Sequence, residues 1–263
     1  MIFPDSPRVI YSQNPLEEVI CQLRFPAILR VDTEIPAAFQ DKIRNDYPLF
    51  TERQSPEEGL GIPPEVLKAL GQDLPIHTGK QGYEFASDDQ VWKVVLTRDF
   101  LALTTTKYER WEQFRGHLML PLGALIEQYS PAFYSRIGLR YRDVIKKSKL
   151  DLKEVQWSEL LNSYVAGELS SPIASAIKKV SRGVNIELPN GMGQVRIRHG
   201  LMSPNESGEQ YYVIDADFYT DQRTEVSDAI ERLGHFNREA GRLFRWCITE
   251  RLHAAMGPQA IQS

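Results

Sequence analysis

Hydrophobic and polar positions alternate from Glu17 to Phe25, with Val19, Cys21, Leu23 and Phe25 on one side. A period of two predicts a half-buried strand. Pro36 then opens a short helix carrying Phe39 and Ile43 four residues apart, and Pro48 marks its end. Thr51 to Gly82 reads as a loop rich in proline and glycine, with one helical turn expected at Glu65 to Leu70. Three strands follow, Tyr83–Ala86, Val91–Thr97 and Leu101–Thr105, separated by Ser87-Asp88-Asp89 and Arg98-Asp99. Trp111, Phe114, Leu118, Leu122, Leu125, Ile126 and Tyr129 then keep helical spacing, with a kink expected at Pro121.

The pattern repeats. Ile137, Leu139, Tyr141 and Asp143 alternate against Arg136, Arg140 and Arg142. Trp157 to Val165 predicts a helix, and Ser170 to Val180 a loop or second short helix. Val184–Leu188, Gln194–Gly200 and Tyr211–Tyr219 predict strands. Asn190-Gly191 is a hairpin signal, because both residues accept positive φ. Ser203 to Glu209 predicts a longer polar hairpin loop. Val226, Ile230, Leu233, Ala240, Leu243, Phe244, Cys247, Ile248 and Leu252 predict one helix over 225–255, with weak points at Gly234 and Gly241. The expected fold is α+β in two similar halves, 1–130 and 131–263. Each half is expected as an antiparallel sheet covered on one face by helices, a β-α-β-β-β-α pattern used twice.

Hydrophobic residues make up 42% of the 263 and charged residues 25%, the balance of a folded globular chain. A net charge of −4 argues against nucleic-acid or anionic-membrane binding by bulk charge, and leaves a local basic face open. The two cysteines, Cys21 and Cys247, sit among apolar residues and read as buried thiols in a reducing compartment. Met1 to Pro7 has no signal-peptide character, and no stretch approaches the roughly 20 apolar residues of a membrane helix. A cytoplasmic location is expected.

Alternation places Arg140 and Arg142 on one side of their strand, and Arg196 and Arg198 on the same side of another. Guanidinium groups gathered there would suit a phosphate or a carboxylate. Asp215 and Asp217 alternate on the polar side of the next strand, and a meander would set them beside Arg196 and Arg198 as ion pairs. Internal pairing is the expectation; catalysis by the two aspartates lacks a histidine or third carboxylate at a useful spacing. The histidines (His77, His117, His199, His235 and His253) form no i, i+4 metal pair. No phosphate-binding glycine loop, no GxSxG motif and no cysteine in a polar setting is present, so no catalytic residue, metal or cofactor is expected. Tyr108, Trp111, Tyr211, Tyr212 and Tyr219 could stack on bases, but aromatics more commonly fill strand and helix faces.

Asn14-Pro15-Leu16-Glu17-Glu18-Val19 leads into Leu23-Arg24-Phe25; Ile35-Pro36, Phe39-Gln40 and Tyr47-Pro48 follow. Asp215-Ala216-Asp217 precedes a long helix closing in Phe244 and Ile248-Thr249. This combination resembles an uncharacterised bacterial group, the sporadically distributed protein family, over nearly the whole chain. The resemblance implies no activity and no catalytic residues. A patchy distribution implies mobile loci of the toxin–antitoxin or phage-defence kind. The expected function is a non-enzymatic protein-binding module, such as an antitoxin, immunity factor or accessory subunit, with a protein as its partner. The alternatives are a nucleic-acid or nucleotide-ligand binder using Arg140, Arg142, Arg196 and Arg198, and an enzyme of unfamiliar type.

Overall fold

A computed structural model describes residues 2–53, 82–203 and 208–260. The predicted turn at Glu65 to Leu70 and the centre of the Ser203–Glu209 loop lie outside these residues. In chain order the elements are β1 (Val9–Tyr11), β2 (Leu16–Arg24), α1 (Arg30–Thr33), α2 (Ala37–Ile43), β3 (Leu49–Arg53), β4 (Gly82–Ala86), β5 (Trp92–Leu96), β6 (Phe100–Thr105) and α3 (Trp111–Tyr129). After these come β7 (Arg136–Lys146), α4 (Trp157–Leu160), α5 (Ser163–Ala166), β8 (Arg182–Leu188), β9 (Gly193–Met202), β10 (Tyr211–Thr220), α6 (Ala229–Cys247), α7 (Glu250–Ala255) and β11 (Pro258–Ala260).

The fold is mixed α+β. Instead of one sheet per half, among the described residues a single nine-stranded antiparallel sheet runs through both, in the order β3-β4-β5-β6-β2-β7-β10-β9-β8. The join is β2 against β7, where Cys21 faces Leu139 and Leu23 faces Ile137. All four are fully buried, so neither strand could end a sheet without exposing its apolar row to water. A strand not anticipated by the pattern, β3, adds to the edge beside β4. A second, two-stranded ribbon joins β1 to β11.

One face of the large sheet is apolar. It packs under Phe114, Leu118, Leu122 and Leu125 of α3, and under Leu233, Phe236 and Leu243 of α6. Pro121 lies inside α3 without ending it. Hairpin geometry follows the expected turn chemistry: Asn190 (φ 59) and Gly191 (φ 65) both occupy the left-handed region between β8 and β9.

The predicted single helix over 225–255 is broken, though not at Gly234 or Gly241. α6 ends at Cys247, and Ile248 is extended (φ −109, ψ 152) before Thr249 caps α7 by accepting from the Leu252 N–H. The cause lies across the chain. Leu161 and Ile248 form a β-bridge, Thr249 N–H donates to the Leu160 carbonyl (3.0 Å), and Asn162 Nδ2 donates to the carbonyls of Trp246 (2.8 Å) and Ile248 (3.0 Å). The same contacts interrupt the helix expected over Trp157 to Val165, which forms α4 and α5 on either side of Leu161. Backbone groups freed at both breaks thus satisfy one another. A 3₁₀ turn at Gly167–Ser170 leads into the Ser170 to Val180 stretch, which holds another at Ala174–Ala176.

Candidate functional site

The other face of the central strands carries the charges singled out above. Register sets Asp215 opposite Arg142 on β7 and Arg198 on β9, and sets Asp217 opposite Arg140 and Arg196. The carboxylates do not pair as expected with Arg196 and Arg198. Both turn toward β7. Arg140 grips Asp215 with two parallel bonds, Nε to Oδ1 and Nη2 to Oδ2, each 2.6 Å. Arg136 Nη2 donates to Asp217 Oδ2 at 2.8 Å. Arg140–Asp215 is a diagonal pair, two positions off the direct register, whereas Arg136 reaches Asp217 from four positions off, along its own strand.

Two local features shape the charges on this face. Gly138 leaves open the space over which the Arg136 side chain folds back; a Cβ there would overlap the guanidinium. A β-bulge between Leu16 and Glu18 breaks the alternation of β2, so that Glu17 accepts from Arg142 (3.5 Å) and Lys146 (3.4 Å). Burial opposes the charge on Arg140, but the hydrogen bonds and attraction of Asp215 outweigh it and raise its pKa. Burial raises the pKa of Glu18, with Arg140 and Arg142 working in the opposite direction.

Arg196 and Arg198 form no ion pair with a described carboxylate. Arg196 lies over the Tyr219 ring at 5.7 Å and shares it with Arg136 at 4.7 Å. Burial and then the neighbouring Arg196 charge lower the pKa of Arg198. Of the four candidate arginines, therefore, Arg140 and Arg142 are engaged by acids and Arg196 and Arg198 are not.

A cavity of about 280 Å³ opens on the helical side, and sequence reasoning did not single it out. Its floor is β7, through Tyr141 and Asp143; its walls are the segment around β1, the start of α3 and the middle of α6. Asn237 of α6 donates from Nδ2 to Tyr108 Oη (3.0 Å) and Tyr141 Oη (2.8 Å). The Tyr11 and Phe244 rings meet edge to face, with centroids 5.8 Å apart. Tyr11 Oη lies 2.7 Å from His253 Nδ1. The segment around β1 is stapled in place by Arg8, which grips Glu112 with bonds of 2.7 and 2.9 Å, and by Asp5, which accepts from Arg242.

Asp143 is the unusual group. It is 8% exposed and lines the cavity, and its side chain hydrogen-bonds no described residue. Burial, reinforced by the charge of Asp215 on the far side of the sheet, pushes its pKa up to about 8. Burial likewise lifts Tyr11 and Tyr108 to about 12. The signal in the sequence was parity, because Asp143 continues the apolar row of Ile137, Leu139 and Tyr141.

Cys21 and Cys247 are both buried, and burial raises both thiols. Among the described residues no three His, Cys, Asp or Glu side chains gather as a metal site, and no helix is long and apolar enough to cross a membrane.

No protein-family model matches the chain and no curated protein matches it, as expected of a chain resembling an uncharacterised family. Among solved structures, the substrate-free duplicated taurocyamine kinase from Schistosoma mansoni aligns at 13% identity and a TM-score of 0.35, covering 93% of this chain and 36% of its own. The same kinase with bound transition state analog components aligns at 13% identity and 0.36, covering 89% and 33%. The chain thus spans about a third of those structures, and similarity at that level carries no argument about activity.

Proposed function

We propose that the protein is a non-enzymatic binding module that docks an extended segment of a partner protein along β8. The observation that supports this is the free edge of the sheet. β8 pairs on one side with β9 and, among the described residues, with no strand on the other. Gly183 to Asn185 are exposed, Val184 to 44%. Gly183 to Glu187 hold neither lysine nor proline, the residues that usually blunt such an edge. A partner strand would gain a ladder of backbone hydrogen bonds there. The resemblance to a family of mobile loci supports the narrower reading of an antitoxin, immunity factor or accessory subunit. Strand order on either side of the β2–β7 join, where each half places its first strand beside its last, supports an internal duplication as the origin of the scaffold.

The test is co-purification from the native host of tagged wild type, Val184→Pro and Asn185→Pro. Adjacent N–H groups of a strand point to opposite sides, so one of these two prolines blocks the outer edge while leaving the β9 ladder intact. A stoichiometric partner held by wild type and lost from that variant, with an unchanged thermal melt, is the expected result. A partner retained by both folded variants overturns the β8 reading.

Arg196 and Arg198 support a second reading, recognition of a phosphate on a nucleic acid or nucleotide, since no described acid claims them. Binding of this kind weakens steeply with salt. A retardation assay that shows no complex at low salt removes it.

A further inference from the structure

We propose that the cavity between β1, β7, α3 and α6 is a binding site for a small organic ammonium compound, whose cationic head rests on the Asp143 carboxylate and whose body lies among Tyr11, Tyr108, Trp111 and Phe244. This site is separate from the β8 edge and does not depend on it.

The argument begins with charge. Burying an acid without a partner is costly, and native structures pair such groups or use them. Among the arginines around the cavity, Arg8 is matched by Glu112 and Arg242 by Glu239 and Asp5, while Arg245 is held by Glu250 through Nη2 and keeps a buried Nη1 without a hydrogen-bond partner among the described residues. Arg110 and Arg238 stand exposed at the rim, where water screens them. Asp143 is the acid on the floor that no described cation reaches. When Asp143 ionises, the cavity therefore carries a negative charge that no described cation meets.

The walls fit the same ligand. Aromatic faces attract cations through their quadrupoles, most strongly where water is excluded. Tyr108 and Tyr141 are held edge to face, 90° apart, and Asn237 fixes both hydroxyls, so the floor is set before anything binds. A volume of about 280 Å³ lies just below the roughly 300–1,000 Å³ of drug-sized pockets, which limits the occupant to a small metabolite.

Linkage supplies a further signature. The groups that act on Asp143 or share its surroundings are Tyr11, Tyr108, Tyr141, Cys247, Arg245 and His253, with Asp215 behind the sheet. The phenols and the thiol stay neutral through the physiological range, because burial raises each of them. Burial lowers His253, which is then neutral near pH 7. Asp143 is the member that changes charge near neutrality. An ammonium ligand needs it ionised, so affinity rises with pH until about 8 and then levels off.

The experiment is calorimetric titration with phenethylamine, its neutral counterpart 2-phenylethanol and its acidic counterpart 3-phenylpropionate. The proteins are wild type, Asp143→Asn and Gly241→Leu. Asparagine keeps the shape of the protonated acid and removes the charge. Position 241 is an exposed, cavity-lining position of α6 where a Cβ meets no atom, so leucine can be added there to obstruct the cavity without altering Asp143 itself. The expected result is saturable phenethylamine binding to wild type, weakened about tenfold or more in Asp143→Asn, as fits loss of a charge-assisted bond, and blocked in Gly241→Leu. Preference for 3-phenylpropionate overturns the proposal, because it would make Asp143 a neutral donor to an acid. Equal affinity in Asp143→Asn, or no phenethylamine binding to wild type, overturns it as well.

Discussion

Arg136 reaches Asp217 by lying across Gly138, so the glycine is the space through which the ion pair forms. A glycine inside a strand ordinarily weakens it, and replacement by a β-branched residue should stabilise. Here the opposite sign is expected. Gly138→Val displaces the Arg136 guanidinium and leaves Asp217, a partly buried carboxylate, without its closest partner. We expect a net loss of about 1 kcal/mol in urea unfolding. A gain in stability would refute the role assigned to this glycine.

Arg140 and Asp215 are the most buried ion pair of the sheet, with side chains 13% and 8% exposed. Removing one partner strands the other's charge. Arg140→Leu should cost about 3–5 kcal/mol, and the double variant Arg140→Leu/Asp215→Leu should recover much of that loss. A double variant no better than the single one would show that the pair contributes more than mutual neutralisation.

Asp143 makes stability depend on pH in an uncommon direction. Its pKa is raised from 3.8 to about 8 in the folded protein, so between those values the native state holds a proton that the unfolded chain releases. This contribution is fully present in acid and is lost as pH rises through about 8. Asp143→Asn should remove it. The variant should match wild type below about pH 3.8, gain on it progressively as pH rises, and exceed its stability by on the order of a few kcal/mol above pH 8, as read from denaturation midpoints. Identical pH profiles would mean that Asp143 is not a buried, uncompensated acid.

Asn162 holds the break between α6 and α7 by donating to the carbonyls of Trp246 and Ile248. Tyr164 Oη also donates to the Trp246 carbonyl at 2.6 Å, so the Ile248 carbonyl depends more heavily on Asn162. Asn162→Ala should cost about 1–2 kcal/mol. A thermal melt unchanged from wild type would place the cause of the break elsewhere.

Most strands and the helix α3 could be read from period alone, because each buries one face and side-chain direction follows spacing. Val19, Cys21 and Leu23 on β2, and Phe114, Leu118 and Leu122 on α3, are examples. What period does not carry is how elements join. The β2–β7 pairing that makes one sheet depends on two strands more than a hundred positions apart. The bulge at Glu17 leaves only a pair of adjacent glutamates as its trace. Asp215 and Asp217 were assignable to a face but not to partners, since direct and diagonal neighbours both offered arginine. The helix over 225–255 looked continuous because its apolar spacing is continuous; the break is imposed from Leu161 and Asn162. Asp143 was visible by parity, and the cavity above it needed the β1 segment, which no local pattern predicts.

Because β1 is stitched to β11, the β1 wall of the Asp143 cavity is held by a strand from the opposite extreme of the described chain. Closing so long a loop carries an entropic cost that is met only once the intervening architecture stands. Occupancy of the cavity would therefore report on completed folding: a nascent or partially unravelled polypeptide would lack the wall that holds a guest.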